Sequence, residues 1–404
     1  MNYGENIANR STTLGLYIHI PFCLTKCNYC DFNTYASIEN QFENITRSIS
    51  NEIIFWGNKL GSPKLKTIFL GGGTPSYLPE KYKQEIFNAI YLKFNTSECE
   101  EITIECNPDD ISLEKINSWK NLGINRLSLG VQAFNDKILK NIGRRHNSFQ
   151  AESSIKIIQE KFKNFNLDLM FGLPNQNLDD WKKSLNIAIN SNATHLSLYG
   201  LQLEKGTPLN SDVEKGIRKI PDDDTTAKMY DLACKTLKKT RFKQYEISNW
   251  AIDKNMCKHN LIYWKNKEFI GCGPGASSYI NGFRFKNIKS PKIYSNIFNE
   301  NPQNIKIQHR KIKEGAVIEI EKQTKEIKAL ETMMLGLRLN EGVSDTFFTK
   351  TVGESMYQLY GKEFTKLKAL GLIIEKNRKI KLTHKGKLLA NEVISNFIIQ
   401  EKFK

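Results

Sequence analysis

Short apolar runs alternate with amphipathic segments along the first 240 residues. The runs predict strands, beginning with the one that opens at Leu14 and continuing at 66–70, 101–105, 125–131, 166–171 and 194–201. Hydrophobic residues at helical spacing between them predict helices at 39–56, 79–92, 111–121, 136–142, 150–162, 178–190 and 222–239. This alternation predicts a parallel sheet, because parallel strands need long crossover connections. The pattern alone is compatible with a doubly wound sheet and with a barrel.

The composition changes near Lys325. Helices are predicted at 325–339, 347–351, 355–370 and 388–399, with a hairpin joining 371–374 to 380–383. Helices followed by a small two-stranded wing are typical of a winged-helix-like α+β domain. We therefore divide the chain into a tail (1–12), an α/β core (13–240), an extension and linker (241–320) and a C-terminal domain (321–404).

Three cysteines follow the first predicted strand in the order C-x3-C-x2-C: Cys23, Cys27 and Cys30. A compact set of thiolates can hold an iron–sulfur cluster, which usually takes four cysteines, so three would leave one iron open. Zinc and a disulfide are the alternatives. Zinc sites more often show two C-x2-C pairs, and eight cysteines in 404 residues is not the density of a disulfide scaffold.

The formal charge of +16 is concentrated toward the C-terminus, since residues 301–404 carry 20 Lys or Arg against 12 Asp or Glu. A basic surface attracts nucleic acid, anionic lipid or small anions, although lysine-rich solvated helices explain the excess equally well. We find no signal-peptide pattern and no apolar window long enough to span a membrane, so we expect a cytoplasmic protein.

The segment from Tyr17 to Phe32, YIHIPFCLTKCNYCDF, resembles the radical S-adenosylmethionine (SAM) superfamily. Within it, the segment is most similar to the branch shared by oxygen-independent coproporphyrinogen dehydrogenases and HemW-type haem chaperones. The resemblance implies an open, partial TIM-type (β/α)6 barrel for the core, followed by a HemN-type extension. It also implies a [4Fe–4S] cluster held by Cys23, Cys27 and Cys30, whose open iron chelates the amino and carboxylate groups of SAM.

Polar and glycine residues lie at or near the ends of the predicted strands, where α/β proteins place their sites. A glycine-rich turn is weak evidence by itself, and a carboxylate there is as readily a salt-bridge partner. Asp168, by alternation with its neighbours, points into the barrel, where an unpartnered charge is costly. By resemblance, the residues expected to contact SAM are Tyr17, Gly72, Gly73, Thr74, Glu105, Gln132, Arg144 and Asp168.

A further motif, H-N-x-x-Y-W, begins at His259 and includes Tyr263 and Trp264. A lone histidine is more often packed or exposed than a ligand, and aromatic residues are more often core. The motif nevertheless matches that of the haem chaperones, and imidazole is a common axial ligand of haem iron. We therefore expect haem contact at these three residues.

Two functions remain in view. The first is a haem chaperone that passes haem to apoproteins. The second is an enzyme, the dehydrogenase, in which a SAM-derived radical converts substrate propionates to vinyl groups. The dehydrogenase pattern has a fourth cysteine where this chain has Phe32, and a long N-terminal arm where only 22 residues precede Cys23. These features and the H-N-x-x-Y-W motif favour the chaperone, which leaves coproporphyrinogen oxidation the less expected activity.

The same resemblance sets the expected partners. They are haem and haem-accepting apoproteins; nucleic acid is not expected, in spite of the basic, winged-helix-like C-terminal domain. Peripheral membrane contact and a homodimer are both compatible with the sequence, and no motif in it favours either.

Overall fold

The computed structural model describes residues 13–299 and 315–398. The expected tail at 1–12 and the end of the helix predicted at 388–399 lie outside these ranges. In the described residues, one sheet has the order β12-β11-β10-β9-β1-β2-β3-β4-β5-β6-β8-β7. Its strands are β1 (Leu14–Ile20), β2 (Leu65–Gly72), β3 (Glu101–Cys106), β4 (Arg126–Gln132), β5 (Phe165–Phe171), β6 (His195–Gly200), β7 (Lys243–Gln244), β8 (Asn249–Ala251), β9 (Phe269–Cys272), β10 (Ser277–Ile280), β11 (Phe283–Asn287) and β12 (Val317–Lys322).

The six strands from β1 to β6 are parallel neighbours, as the alternation predicts. Because the sheet order has free ends, it is open and not a closed barrel, which confirms the predicted fold class. The helices are α1 (Phe42–Lys59), α2 (Glu80–Lys93), α3 (Leu113–Asn121), α4 (Asp136–Asn141), α5 (Ser148–Lys161), α6 (Leu178–Ile189), α7 (Pro208–Glu214), α8 (Asp223–Leu237), α9 (Lys258–Trp264) and α10 (Pro291–Asn299).

The two faces of the parallel strands differ in chemistry. Leucine and isoleucine side chains, such as Ile18, Leu70 and Leu129, are fully buried in the core shared with the helices. The alternate residues face the concave side and are largely polar or aromatic. Ser128 and Asp168, for example, hydrogen-bond across two neighbouring strands (3.0 Å). Buried polar groups need such partners, so the concave face holds an ordered polar network.

Segments after residue 240 complete this sheet. Strand β9 pairs in parallel with β1 although about 250 residues separate them, and β10–β12 continue antiparallel from it. Short helix α9 packs against β2, and the Glu101 carboxylate accepts the backbone N–H groups of Lys258 and His259 at its first turn (2.9 and 3.0 Å). A carboxylate there complements the unpaired N–H groups of a helix start.

The C-terminal residues have a hydrophobic core of their own, which includes Phe348, Phe364 and Ile380. They form helices α11 (Lys325–Gly336), α12 (Asp345–Val352), α13 (Met356–Ala369), α14 (His384–Leu388) and α15 (Ala390–Ser395), and a three-stranded sheet of β13 (Val343–Ser344), β14 (Ile373–Lys376) and β15 (Lys379–Leu382). The predicted hairpin is β14–β15. In the range of the helix predicted at 388–399, the structure has the short helix α15, which follows α14 after a break at Leu389, and the hairpin also has a third strand, β13, as a neighbour.

Candidate functional site

The cysteine loop leaves β1 and is held at both ends by main-chain hydrogen bonds. Cys23 N–H donates to the Tyr35 carbonyl (3.0 Å), and Asn28 N–H donates to the Ile142 carbonyl (3.1 Å). The Asn33 amide reaches further along the chain and donates to the carbonyls of Pro274 and Lys289 (2.9 Å each). The loop is therefore fixed by the protein itself, and its three thiols line one pocket.

Two of these thiols have polar neighbours that suit a thiolate. The Thr74 hydroxyl donates to Cys23 Sγ and the Arg144 guanidinium to Cys27 Sγ (3.5 Å each). Burial raises the pKa values of Cys23 and Cys30, and a bound metal would offset this by favouring the thiolates. In the part of the chain that the structure describes, no group of three Cys, His, Asp or Glu side chains is arranged around a single metal ion. Three cysteines on one pocket wall fit a cluster of several irons better than zinc.

The glycine-rich turn lies directly against the cysteine loop. Gly73 N–H donates to the Ile20 carbonyl and Thr74 N–H to the Phe22 carbonyl (2.7 Å each). A Cβ on Gly73 would lie 2.5 Å from the Phe22 carbonyl oxygen, and Gly72 has a φ of 112°. These positions require glycine because the turn and the start of the cysteine loop meet there. All three predicted residues of the turn line the pocket.

Two carboxylates face the same pocket, which has a volume of about 430 Å³. Loss of water contact, with the nearby Asp168 carboxylate, raises the pKa of Glu105 to about 7. Loss of water contact also raises the pKa of Asp168, although Asn166, Ser197 and Ser128 donate to it and oppose the shift. Glu105 accepts one hydrogen bond, from Gly72 N–H (3.0 Å). The buried Arg126 guanidinium lowers both pKa values without cancelling the rise. A ligand with positive charge would favour the ionised form of these carboxyls, so the pocket suits a cationic ligand.

Gln132 and Arg144 complete the predicted set at the pocket. Gln132 ends β4 at a break in register and has a φ of 67°, a strained conformation for a residue other than glycine. Arg144 donates to the Asn107 side chain (2.7 Å) and to the Gly130 carbonyl (2.6 Å). Among the described residues its buried Nε has no partner, and the residue lines the pocket, where a guanidinium suits a carboxylate.

Tyr17 is placed differently. The described residues that line the pocket do not include it. Its hydroxyl hydrogen-bonds to His19 Nδ1 (3.1 Å), and its ring stacks on Phe69. Tyr17 therefore supports residues near the pocket, and direct contact with SAM remains a prediction.

The H-N-x-x-Y-W motif lies on α9, where His259 is 1% exposed. Both imidazole nitrogens have partners, since Nδ1 bonds to the Thr67 hydroxyl (2.7 Å) and Nε2 to the Tyr263 hydroxyl (2.8 Å). Burial and the nearby Arg126 charge lower the pKa of His259 to about 3, so the ring is neutral. Trp264 packs under the Arg338 guanidinium, 4.5 Å from the ring centroid. Iron ligation by His259 would first require one of these hydrogen bonds to break, and haem contact here stays a prediction.

Several pocket residues were not predicted from the sequence. Six of them are Cys106, Asn107, Ser128, Met170 and Tyr199, together with the exposed Phe32 of the cysteine loop. Four of these six follow or alternate with predicted site residues on β3, β4 and β5, so strand alternation was the available signal.

Comparison with known proteins agrees with this geometry. Residues 17–188 match the radical SAM superfamily, and residues 323–389 match the HemN C-terminal domain. A Bacillus subtilis protein named heme chaperone HemW is 38% identical over 384 residues, which cover 95% of this chain and 98% of that protein. The chain belongs to the HemW family of radical SAM proteins. This family membership confirms the resemblance seen in the cysteine loop.

A second HemW-named relative is matched over a similar share of both chains. The Lactococcus lactis protein named heme chaperone HemW is 33% identical over 386 residues, which cover 95% of this chain and 97% of that protein. Among solved structures, coproporphyrinogen III oxidase (HemN) from Escherichia coli superimposes with a TM-score of 0.80 at 20% identity, over 97% of this chain and 92% of that one. That likeness supports the fold alone. Across the described residues, no helix combines the length and hydrophobicity needed to cross a membrane.

Proposed function

We propose that this protein is a haem chaperone that binds haem, a [4Fe–4S] cluster and SAM, and delivers haem to apoproteins. The observation that carries the proposal is the pocket in which three fixed cysteines face two carboxyl groups whose pKa values are raised by burial. Membership of a family whose relatives are named heme chaperone HemW supports the haem function. Family membership also implies the cluster and SAM, and the cytoplasm stays the expected compartment.

Within this proposal, Cys23, Cys27 and Cys30 hold the cluster, which would supply redox chemistry and an open iron site. Gly72, Gly73 and Thr74 border the methionine end of SAM. Glu105 and Asp168 offset the positive charge of SAM, and Arg144 pairs with its carboxylate. Gln132 offers an amide at the same wall. The pocket residues themselves bind and orient the ligand.

The alternative is coproporphyrinogen oxidation, since HemN shares the fold. The chaperone is favoured because Phe32 occupies the position of the fourth cysteine in the dehydrogenase pattern, and because the Bacillus subtilis and Lactococcus lactis relatives, which cover 95% of this chain, carry the chaperone name.

The two functions are separated by one experiment. Anaerobically reconstituted protein is mixed with haem, and transfer to a haem-free acceptor protein is followed by the acceptor's absorbance. In parallel, the protein is incubated with coproporphyrinogen III, SAM and a reductant. We expect haem binding and transfer without product. Product formed at an enzymatic rate would reverse the assignment, and no haem binding would remove the chaperone function.

A further inference from the structure

Two aromatic side chains remain exposed at the mouth of the cluster pocket. Phe32, from the cysteine loop, is 63% exposed, and Tyr199, at the end of β6, is 39% exposed. Both line the same pocket as the three cysteines. Large aromatic rings bury much apolar area when they find a partner, so two of them left open beside one site indicate a binding surface.

Both rings are held on rigid backbone. The Phe32 carbonyl accepts hydrogen bonds from Thr34 N–H (2.7 Å) and from Lys26 Nζ (3.0 Å). Tyr199 lies in β6, paired with Met170 of β5, which lines the pocket too. A surface whose backbone is already fixed loses little conformational freedom when a ligand settles on it.

We propose that Phe32 and Tyr199 form the platform on which this protein holds haem. The inference rests on the chaperone function proposed above and deepens it by naming the surface. A porphyrin is flat and aromatic, and stacking on two rings is the contact that such a shape favours. The surface is also available, whereas both nitrogens of the buried His259 imidazole are already hydrogen-bonded.

Charges around the mouth are mixed, so the rings and not the charges select the ligand. Lys26 is exposed there and can pair with one propionate, while Asp31 and Glu204 line the same mouth and repel it. Propionates therefore point toward Lys26 or toward water, with the apolar porphyrin face over Phe32 and Tyr199.

The test is a haem titration of anaerobically reconstituted protein, followed by Soret absorbance. Phe32→Ala and Tyr199→Leu should each weaken haem binding about threefold to tenfold, the usual range for one aromatic contact. Phe32→Trp should restore it. Phe149→Ala removes a still more exposed ring (76%) on α5 outside the pocket and should bind haem like the wild type.

Cluster absorbance and SAM binding are measured in every variant. Tyr199→Leu leaves the cysteine loop intact. If Phe32→Ala disturbs the cluster, the haem affinity of Tyr199→Leu alone therefore tests the platform. Haem affinity that is unchanged in both Phe32→Ala and Tyr199→Leu would overturn the platform. A loss of haem affinity that occurs only in His259→Gln would overturn it as well. Wild-type protein that binds no haem would instead remove the chaperone function itself. Were the rings to dock an aromatic side chain of a partner protein, haem affinity would stay unchanged and the inference would fail.

Discussion

The Glu105 carboxyl makes the pocket sensitive to pH in the neutral range. Its pKa is raised to about 7, first by loss of water contact and then by the neighbouring Asp168 carboxylate. The carboxyl is therefore about one-tenth ionised at pH 6 and about nine-tenths ionised at pH 8. If the ionised form alone binds cationic SAM tightly, the apparent affinity rises in proportion to that fraction. From pH 6 to pH 8 the gain is about tenfold.

Glu105→Gln removes this titration while it keeps an oxygen for the Gly72 N–H. The amino group of SAM titrates in the same range, so the comparison with wild type is what isolates Glu105. SAM dissociation constants are measured at pH 6, 7 and 8 by isothermal calorimetry on cluster-loaded protein. We expect the ratio of variant to wild-type dissociation constants to grow about tenfold across the range.

The matched control is Glu100→Gln, one residue before the same strand, where the carboxylate pairs with Lys66 and Lys258 away from the pocket. It should keep the wild-type pH profile. If the ratio of the Glu105→Gln and wild-type SAM dissociation constants does not change with pH, ionisation of Glu105 does not control SAM affinity. That result would refute the reasoning even if both proteins bind SAM.

Three further predictions concern the cluster, the core and the coupling of the carboxylates. Cys27→Ala should abolish the broad [4Fe–4S] absorbance after reconstitution, and an intact cluster would overturn the ligand assignment. Burial raises the pKa of Glu52 to about 7, so its stabilising contribution is present near pH 4.5 and is lost as the pH rises through 7. The stability advantage of wild type over Glu52→Gln in urea unfolding should therefore shrink by about 2–3 kcal/mol from pH 5 to pH 8, and an advantage that grows would contradict this. Asp168→Asn should lower the pH midpoint of SAM binding, because a negative neighbour is removed; an unchanged midpoint would show that burial alone sets the Glu105 pKa.

Much of the site could be predicted because consecutive parallel strands end at the same edge of a sheet. The glycine turn after β2, Glu105 on β3, Gln132 on β4 and Asp168 on β5 are brought together by that rule. The cysteine loop after β1 joins them for the same reason.

Other features depended on long-range pairing that no local pattern records. Strand β9 is four residues long, and nothing in FIGC indicates that it lies beside β1. The family resemblance named Tyr17 as a SAM contact, but no local pattern indicates that its side chain lies outside the pocket lining. For His259, the sequence predicts a helix or loop that carries an imidazole, whereas its burial follows from the packing of α9 against β2.

The hydrogen bonds from the Asn33 amide to the carbonyls of Pro274 and Lys289 determine which fragments of the chain can hold the cysteine loop. A fragment that stops at residue 240 keeps every expected cluster and SAM ligand, yet it lacks β9, one of the two strands beside β1, and the two carbonyls that accept from Asn33. In such a fragment the three cysteines would lie on a loop that is held less firmly. Cluster assembly is therefore a property of the longer chain, and expression of the isolated core should yield protein that loads iron poorly.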